Sequence, residues 1–164
     1  MIPEIKRILY TTDLSPNSAY AFRYAINSAK KHDAGIIILH VVEEMAPFFD
    51  EERLKMISEK KIAEAMAQIK TRLKTFCDRE LKDDPECIDK VESIEVCQGF
   101  PPEEILRKAD ELNCDVIVMG THGKGIIRHS FLGSAAQKVL RRVRKPVFII
   151  PLPEEGNEVT FKGI

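Results

Sequence analysis

Hydrophobic residues along this chain come in two alternating rhythms. Short runs are apolar at successive positions: Ile8-Leu9-Tyr10, Ile36 to Val42, Val116 to Met119 and Val147 to Ile150. A run of that kind suits a parallel strand buried on both faces. Between the runs, apolar residues recur every three or four positions, the signature of a helix with one buried stripe. Taken in order, Ile5 to Thr12 reads as a first strand. Ser15-Pro16 supplies an N-cap and a first helical proline, and Ala19, Phe22, Ala25, Ile26 and Ala29 carry a helix to about His32. Asp33-Ala-Gly35 turns into a second strand, Ile36 to Val42. After a loop from Glu43 to Asp50, a long helix runs from Glu51 to about Leu81 on a stripe that includes Leu54, Ile69, Leu73 and Phe76. Lys82-Asp-Asp-Pro85 stops it, and Val91 to Cys97 alternates as a weaker strand, placed at a sheet edge. Pro101-Pro-Glu-Glu opens a helix with acids in its first turn, as the helix dipole favours. The strand Val116 to Met119, a helix from Ser134 to about Val143 and a last strand, Pro146 to Ile150, complete the pattern.

Strands and helices thus alternate from end to end. Such alternation predicts an α/β fold with a mostly parallel sheet, right-handed crossovers and helices on both faces. There is no internal repeat and no linker composition. The 164 residues suit one domain, expected over 1–153, with 154–164 as a polar tail.

Composition changes this picture little. Hydrophobic residues make up 44% and charged residues 31%, ordinary for a soluble domain. No apolar run reaches about 18 residues, and the start lacks the order of a secretory signal, so a cytoplasmic protein is expected. Cys77, Cys87, Cys97 and Cys114 form no C-x-x-C pair, which argues against zinc and thioredoxin chemistry. Reduced, partly buried thiols are expected, and a Cys87–Cys97 bridge stays open.

Charge placement is more informative. The net charge is −1, yet no Asp or Glu occurs from Val116 to Pro153. That span carries Lys124, Arg128, Lys138, Arg141, Arg142, Arg144 and Lys145. Arg141 to Lys145 fall at a helix C-terminus, where cations complement the dipole. Lys124 and Arg128 point instead to a local anion site.

Those two lie in the segment that carries the candidate chemistry, Val116 to Ala136. Its apolar strand breaks at Gly120, Gly123 and Gly125 and closes at Gly133-Ser134 just before a helix. Strand, glycine loop and helix start together make a phosphate cradle of bare N–H groups and a positive dipole end. In an open α/β sheet such a site falls where the connections reverse, which would bring Thr12-Asp13 opposite Gly120 to Gly123. Asp13 either meets a ligand there or helps cap the first helix. Two familiar motifs fail. Gly125 is followed by Ile126 where a P-loop needs Lys, and Gly123-Lys-Gly125 lacks the third glycine of a dinucleotide fingerprint.

A third pattern fits. Gly120-x-x-Gly123, nine intervening residues, then Gly133-Ser134 resembles the nucleotide-binding signature of the universal stress protein family. Ile8-Leu-Tyr-Thr-Thr-Asp13, Leu39-His-Val41 and Lys145-Pro-Val-Phe-Ile-Ile150 extend the resemblance over nearly the whole chain. It implies a Rossmann-like, adenine nucleotide alpha hydrolase-like fold: a five-stranded parallel sheet in the order 3-2-1-4-5. It also implies an ATP-binding homodimer acting as a nucleotide-dependent stress-response module.

Residue roles follow from the resemblance. Gly120 and Gly123 would let the backbone approach phosphates and ribose, with Thr121, His122 and Lys124 lining the turn after Met119. Gly133, Ser134 and the Ala135 amide would hold the terminal phosphates. Thr12 and Asp13 would meet the adenosine part, and Val41 would offer backbone hydrogen bonds to adenine. Thr11 stands where related binders often have Pro.

Mg²⁺ carried by the phosphates fits better than a protein-only site, since His122 and His129 lie seven apart with no nearby Cys or acid. His40, inside an apolar strand, is read as a satisfied core residue. Phe48-Phe49 is a lid, a partner contact or core. The last strand, Val147, Phe148, Ile149 and Ile150, is short and apolar at an edge and is expected to pair with a second copy. A slow ATPase or phosphotransferase is the alternative function, though no activating base stands out beside the loop. Nucleic-acid binding through Arg128 and Arg141 to Lys145 is the third and least favoured.

Overall fold

In the computed structural model, residues 1–43, 51–121, 132–151 and 164 are described, and the side chains of 51–58 are not. The expectations placed on Phe48-Phe49, on His122, Gly123, Lys124, Arg128 and His129, and on most of the polar tail lie outside the described residues.

Strand β1, Arg7–Thr11, sits at the centre of the sheet because its side chains are apolar on both faces. Ile8, Leu9 and Tyr10 are wholly buried. On one side it pairs with β2, Gly35–Glu43, and on the other with β4, Val116–Gly120. Strands β3, Val91–Gly99, and β5, Val147–Ile150, form the two edges. All pairings are parallel and the order is β3-β2-β1-β4-β5, as the resemblance implies. The Asp115 carboxylate accepts the N–H groups of Lys6 and Arg7 at 2.8 and 2.9 Å, which locks the start of β1 beside the start of β4.

Alternation along the strands feeds two cores. Ile8, Tyr10, Ile36, Ile38, Val116 and Val118 face one side, under helices α1, Pro16–His32, and α2, Glu51–Glu80. Leu9, Ile37, Leu39, Val41, Ile117 and Met119 face the other, under α3, Pro101–Glu111, and α4, Ser134–Arg142. Tyr10, Phe22 and Phe76 form an aromatic row from sheet to α1 to α2, with ring centroids 5.2 and 5.1 Å apart. The Tyr10 hydroxyl donates to the Ser18 carbonyl at 2.6 Å. Each such fully buried side chain stabilises the fold by about 1.5–3 kcal/mol.

The observed strands differ from expectation mainly at their ends. β1 is shorter than Ile5 to Thr12 because Thr12 already turns toward α1. β3 runs to Gly99 along β2, and a 3-10 helix, Pro85–Lys90, precedes it where only a helix stop was expected. The Cys87–Cys97 bridge is corrected: all four cysteines are free. Cys87 is buried in the α1/α2 core and Cys97 packs against the α3/α4 core, so the sheet separates them.

Candidate functional site

The chain leaves β1 for α1 on one face and leaves β4 for α4 on the other. Because β1 and β4 are neighbours, these departures diverge, the arrangement that in open α/β sheets places a ligand crevice beyond the C-terminal strand ends.

Side chains acting on nearby backbone build the first wall. The Leu14 N–H donates to Thr12 Oγ1 at 3.0 Å, and that oxygen lies 2.6 Å from Ser18 Oγ. The Ser15 N–H and hydroxyl donate to Asp13 Oδ1 at 3.0 and 2.5 Å. These local turns hold Leu14 at φ 68°, a left-handed conformation rarely given to leucine. Ser15 in turn caps α1 by accepting from the Ser18 N–H at 3.3 Å. Asp13 therefore supports the helix cap through Oδ1, and its half-buried side chain stands at the crevice. Thr12 turns its hydroxyl toward α1, away from a ligand role for that group. Thr11 and Met119 are buried beneath the site, on the face they share with Leu9 and Ile117.

β2 contributes its end. The Thr12 N–H donates to the Leu39 carbonyl at 3.0 Å, the last rung between β1 and β2. His40 is buried, and its Nδ1 lies 2.7 Å from the Thr12 carbonyl oxygen, so it is a satisfied core histidine as expected. Its partner at the strand end was not foreseen; the available signal was an imidazole one residue before Val41. Val41, 8% exposed, lies beyond that last rung.

The other wall starts from Gly120, which pairs with Ile150 on β5. The Thr121 N–H donates to the Ile150 carbonyl at 3.0 Å, and the Thr121 carbonyl accepts the Gly133 N–H at 2.6 Å. The two ends of the glycine loop are thereby stitched together, whatever its length. Gly133 then caps α4 with φ −64° and ψ 161° and, having no side chain, itself offers the first-turn N–H groups no acceptor. No acid lies in that first turn. Ser134 is exposed and Ala135 half-buried at this start. Gln137 fixes the approach, its N–H on the Gly133 carbonyl at 3.1 Å and its Nε2 on the Leu132 carbonyl at 2.8 Å. An uncapped, acid-free helix start attracts an anion.

The described cations at the end of α4 and after it are engaged elsewhere. Lys145 Nζ donates to the Cys114 carbonyl at 2.7 Å and pairs with Asp110 at 3.4 Å; Arg142 pairs with Glu103 at 3.7 Å. They secure the helix end, and this removes them from the site. Among the described residues no cluster of His, Cys, Asp or Glu could hold a metal ion.

These features define a parallel α/β protein with a glycine-capped helix start at the C-terminal end of its sheet, beside the switch point. The family model for the universal stress protein family matches residues 4–151. The chain belongs to that family. A universal stress protein of Methanocaldococcus jannaschii is 32% identical over 153 residues, covering 92% of this chain and 84% of its own. A second one from the same organism is 29% identical over 155 residues, covering 88% and 94%. The solved structure of that second relative superposes with a TM-score of 0.64 over 93% of this chain and 99% of its own, at 25% identity. A universal stress protein solved in complex with cAMP shares the fold, with a TM-score of 0.60, 91% and 98% coverage and 23% identity.

Proposed function

We propose that this protein binds adenine nucleotides, ATP first among them, in the crevice between β1 and β4, and acts as a homodimeric, nucleotide-dependent binding module. The single observation that carries the reading is the glycine-capped, acid-free start of α4, held beside the end of β4 by the Thr121–Gly133 bond. Phosphates would lie against the N–H groups of Ser134 and Ala135, with Gly120 and Gly123 allowing close backbone approach. The base would lie toward Val41, and Asp13 would face the ribose. A magnesium ion would be one carried by the phosphates, which with water commonly complete its coordination; among the described residues no cluster of His, Cys, Asp and Glu could hold one. The cAMP complex of a relative supports adenine as the base class. No group-transfer step is assigned, because a site that binds phosphates does not thereby favour a transition state.

Gly123→Val tests the cradle. A side chain there would fill the path of the phosphates. Calorimetric titration with ATP and magnesium should show binding to the wild type and none to the variant; equal affinity would refute the reading.

A further inference from the structure

The rungs between β1 and β2 form a regular series. One end is the Gly35 N–H on the Lys6 carbonyl at 2.9 Å; the other is the Thr12 N–H on the Leu39 carbonyl at 3.0 Å. In a parallel ladder the strands donate and accept in turn. The next rung would run from the Val41 N–H to the Thr12 carbonyl, and among the described residues that rung is not made. The Thr12 carbonyl lies 2.7 Å from His40 Nδ1 instead. A carbonyl oxygen only accepts, so Nδ1 carries the hydrogen. His40 follows Ile36 and Ile38 onto the α1/α2 face, so its ring reaches the carbonyl from that side. Val41, two residues after Leu39, turns its N–H and C=O toward the β1 side of the strand, as Leu39 does.

We propose that His40 is a positioning residue for the nucleotide site: by taking the Thr12 carbonyl it ends the β1–β2 ladder one rung early and leaves the Val41 N–H turned into the crevice. The inference rests on the nucleotide reading and says how its base would be selected. One extended residue then presents a donor and an acceptor side by side. Adenine offers the matching edge, a ring nitrogen that accepts and an exocyclic amine that donates. Guanine at the same edge offers a ring N–H and a carbonyl oxygen, which would face like against like. Leaving the rung open costs about as much as one backbone hydrogen bond, which water offsets in the empty crevice and a base offsets when bound.

Amide hydrogen exchange followed by NMR tests this without any ligand. In the wild type the Val41 amide should exchange at least about tenfold faster than that of Leu39, which donates within the ladder. In His40→Leu the freed carbonyl should close the rung, so that the Val41 amide becomes protected. ATP affinity should then fall about tenfold and the preference for ATP over GTP should shrink. His40→Asn places an amide N–H where Nδ1–H stood and should restore fast exchange and affinity together, which a filler of the core would not do. A Val41 amide as protected as that of Leu39 in the wild type would overturn the proposal, even if the leucine variant failed to fold. So would ATP affinity in His40→Leu equal to the wild type. A fast Val41 amide in a wild type that takes up no nucleotide would remove the functional reading and uphold the role of His40 in opening the ladder.

Discussion

Ser15 and Ser134 open two helices at the same end of the sheet and do opposite things. Ser15 turns its hydroxyl onto the backbone of α1 and closes that helix start, with Asp13 orienting it. Ser134 follows a glycine cap that makes no side-chain bond, and it is exposed, so in the proposed site the start of α4 would receive the phosphates. Ser134→Glu separates stability from binding. A carboxylate in the first turn favours the helix by about 0.3–1 kcal/mol but repels phosphate. The variant should melt no lower than the wild type by calorimetry yet bind ATP at least about tenfold more weakly. Undiminished affinity would place the phosphates elsewhere.

The thiols make a second prediction at this scale. Burial pushes Cys77 up to about 12 and Cys114 up to about 11, against 9.0 for an unperturbed thiol. Both are therefore protonated in the native protein at pH 8 and should ignore a thiol reagent until the chain unfolds, while partly exposed Cys97 reacts first. The folded state holds these protons longer than the unfolded chain. Their contribution to stability is thus complete below pH 9 and is lost as pH rises toward 11 and 12. Denaturant midpoints should fall across that window; a midpoint unchanged from pH 8 to pH 11 would contradict the burial of both groups.

At the scale of elements, what the sequence disclosed follows from how much each element depends on its own residues. β1, β2 and β4 were legible because both faces must be apolar in the centre of a sheet, and Ile8-Leu9-Tyr10 or Val116 to Met119 has no other soluble use. α1 was legible to its last residue, since Ser15, Pro16 and the basic turn Lys30-Lys31-His32 each mark an end. The 3-10 helix Pro85–Lys90 was hidden: six residues carry no period, and Cys87 is buried in the α1/α2 core. The extension of β3 to Gly99 was hidden too, since it is set by pairing with β2 up to Glu43 rather than by alternation in β3 itself. The placement of Gly120 at the end of β4 and of Gly133-Ser134 at the start of α4 could be read from spacing. The uses of Thr12 and His40 could not, because their partners, Ser18 and the Thr12 carbonyl, are met only once strands and helix are packed.

Across the whole molecule, two edges remain beside the five-stranded sheet. β3 is covered on one face by α2, which reaches it from the core side. β5 is four residues long, pairs among the described residues only with β4, and keeps Phe148 37% exposed. An apolar edge of this kind is a template for another strand. Antiparallel pairing with the β5 of a second copy would cover it under a two-fold axis. Phe148→Glu should convert a dimer to a monomer in analytical ultracentrifugation, with the helical circular dichroism unchanged. A variant that sediments like the wild type would move the interface away from this strand.

The proposed nucleotide site lies where β1 and β4 part. It is tested most directly by isothermal titration of the full-length protein with magnesium ATP and, separately, with magnesium GTP. One ATP per chain, bound clearly more tightly than GTP, is the predicted result; no heat with ATP, or equal affinity for the two, would contradict it.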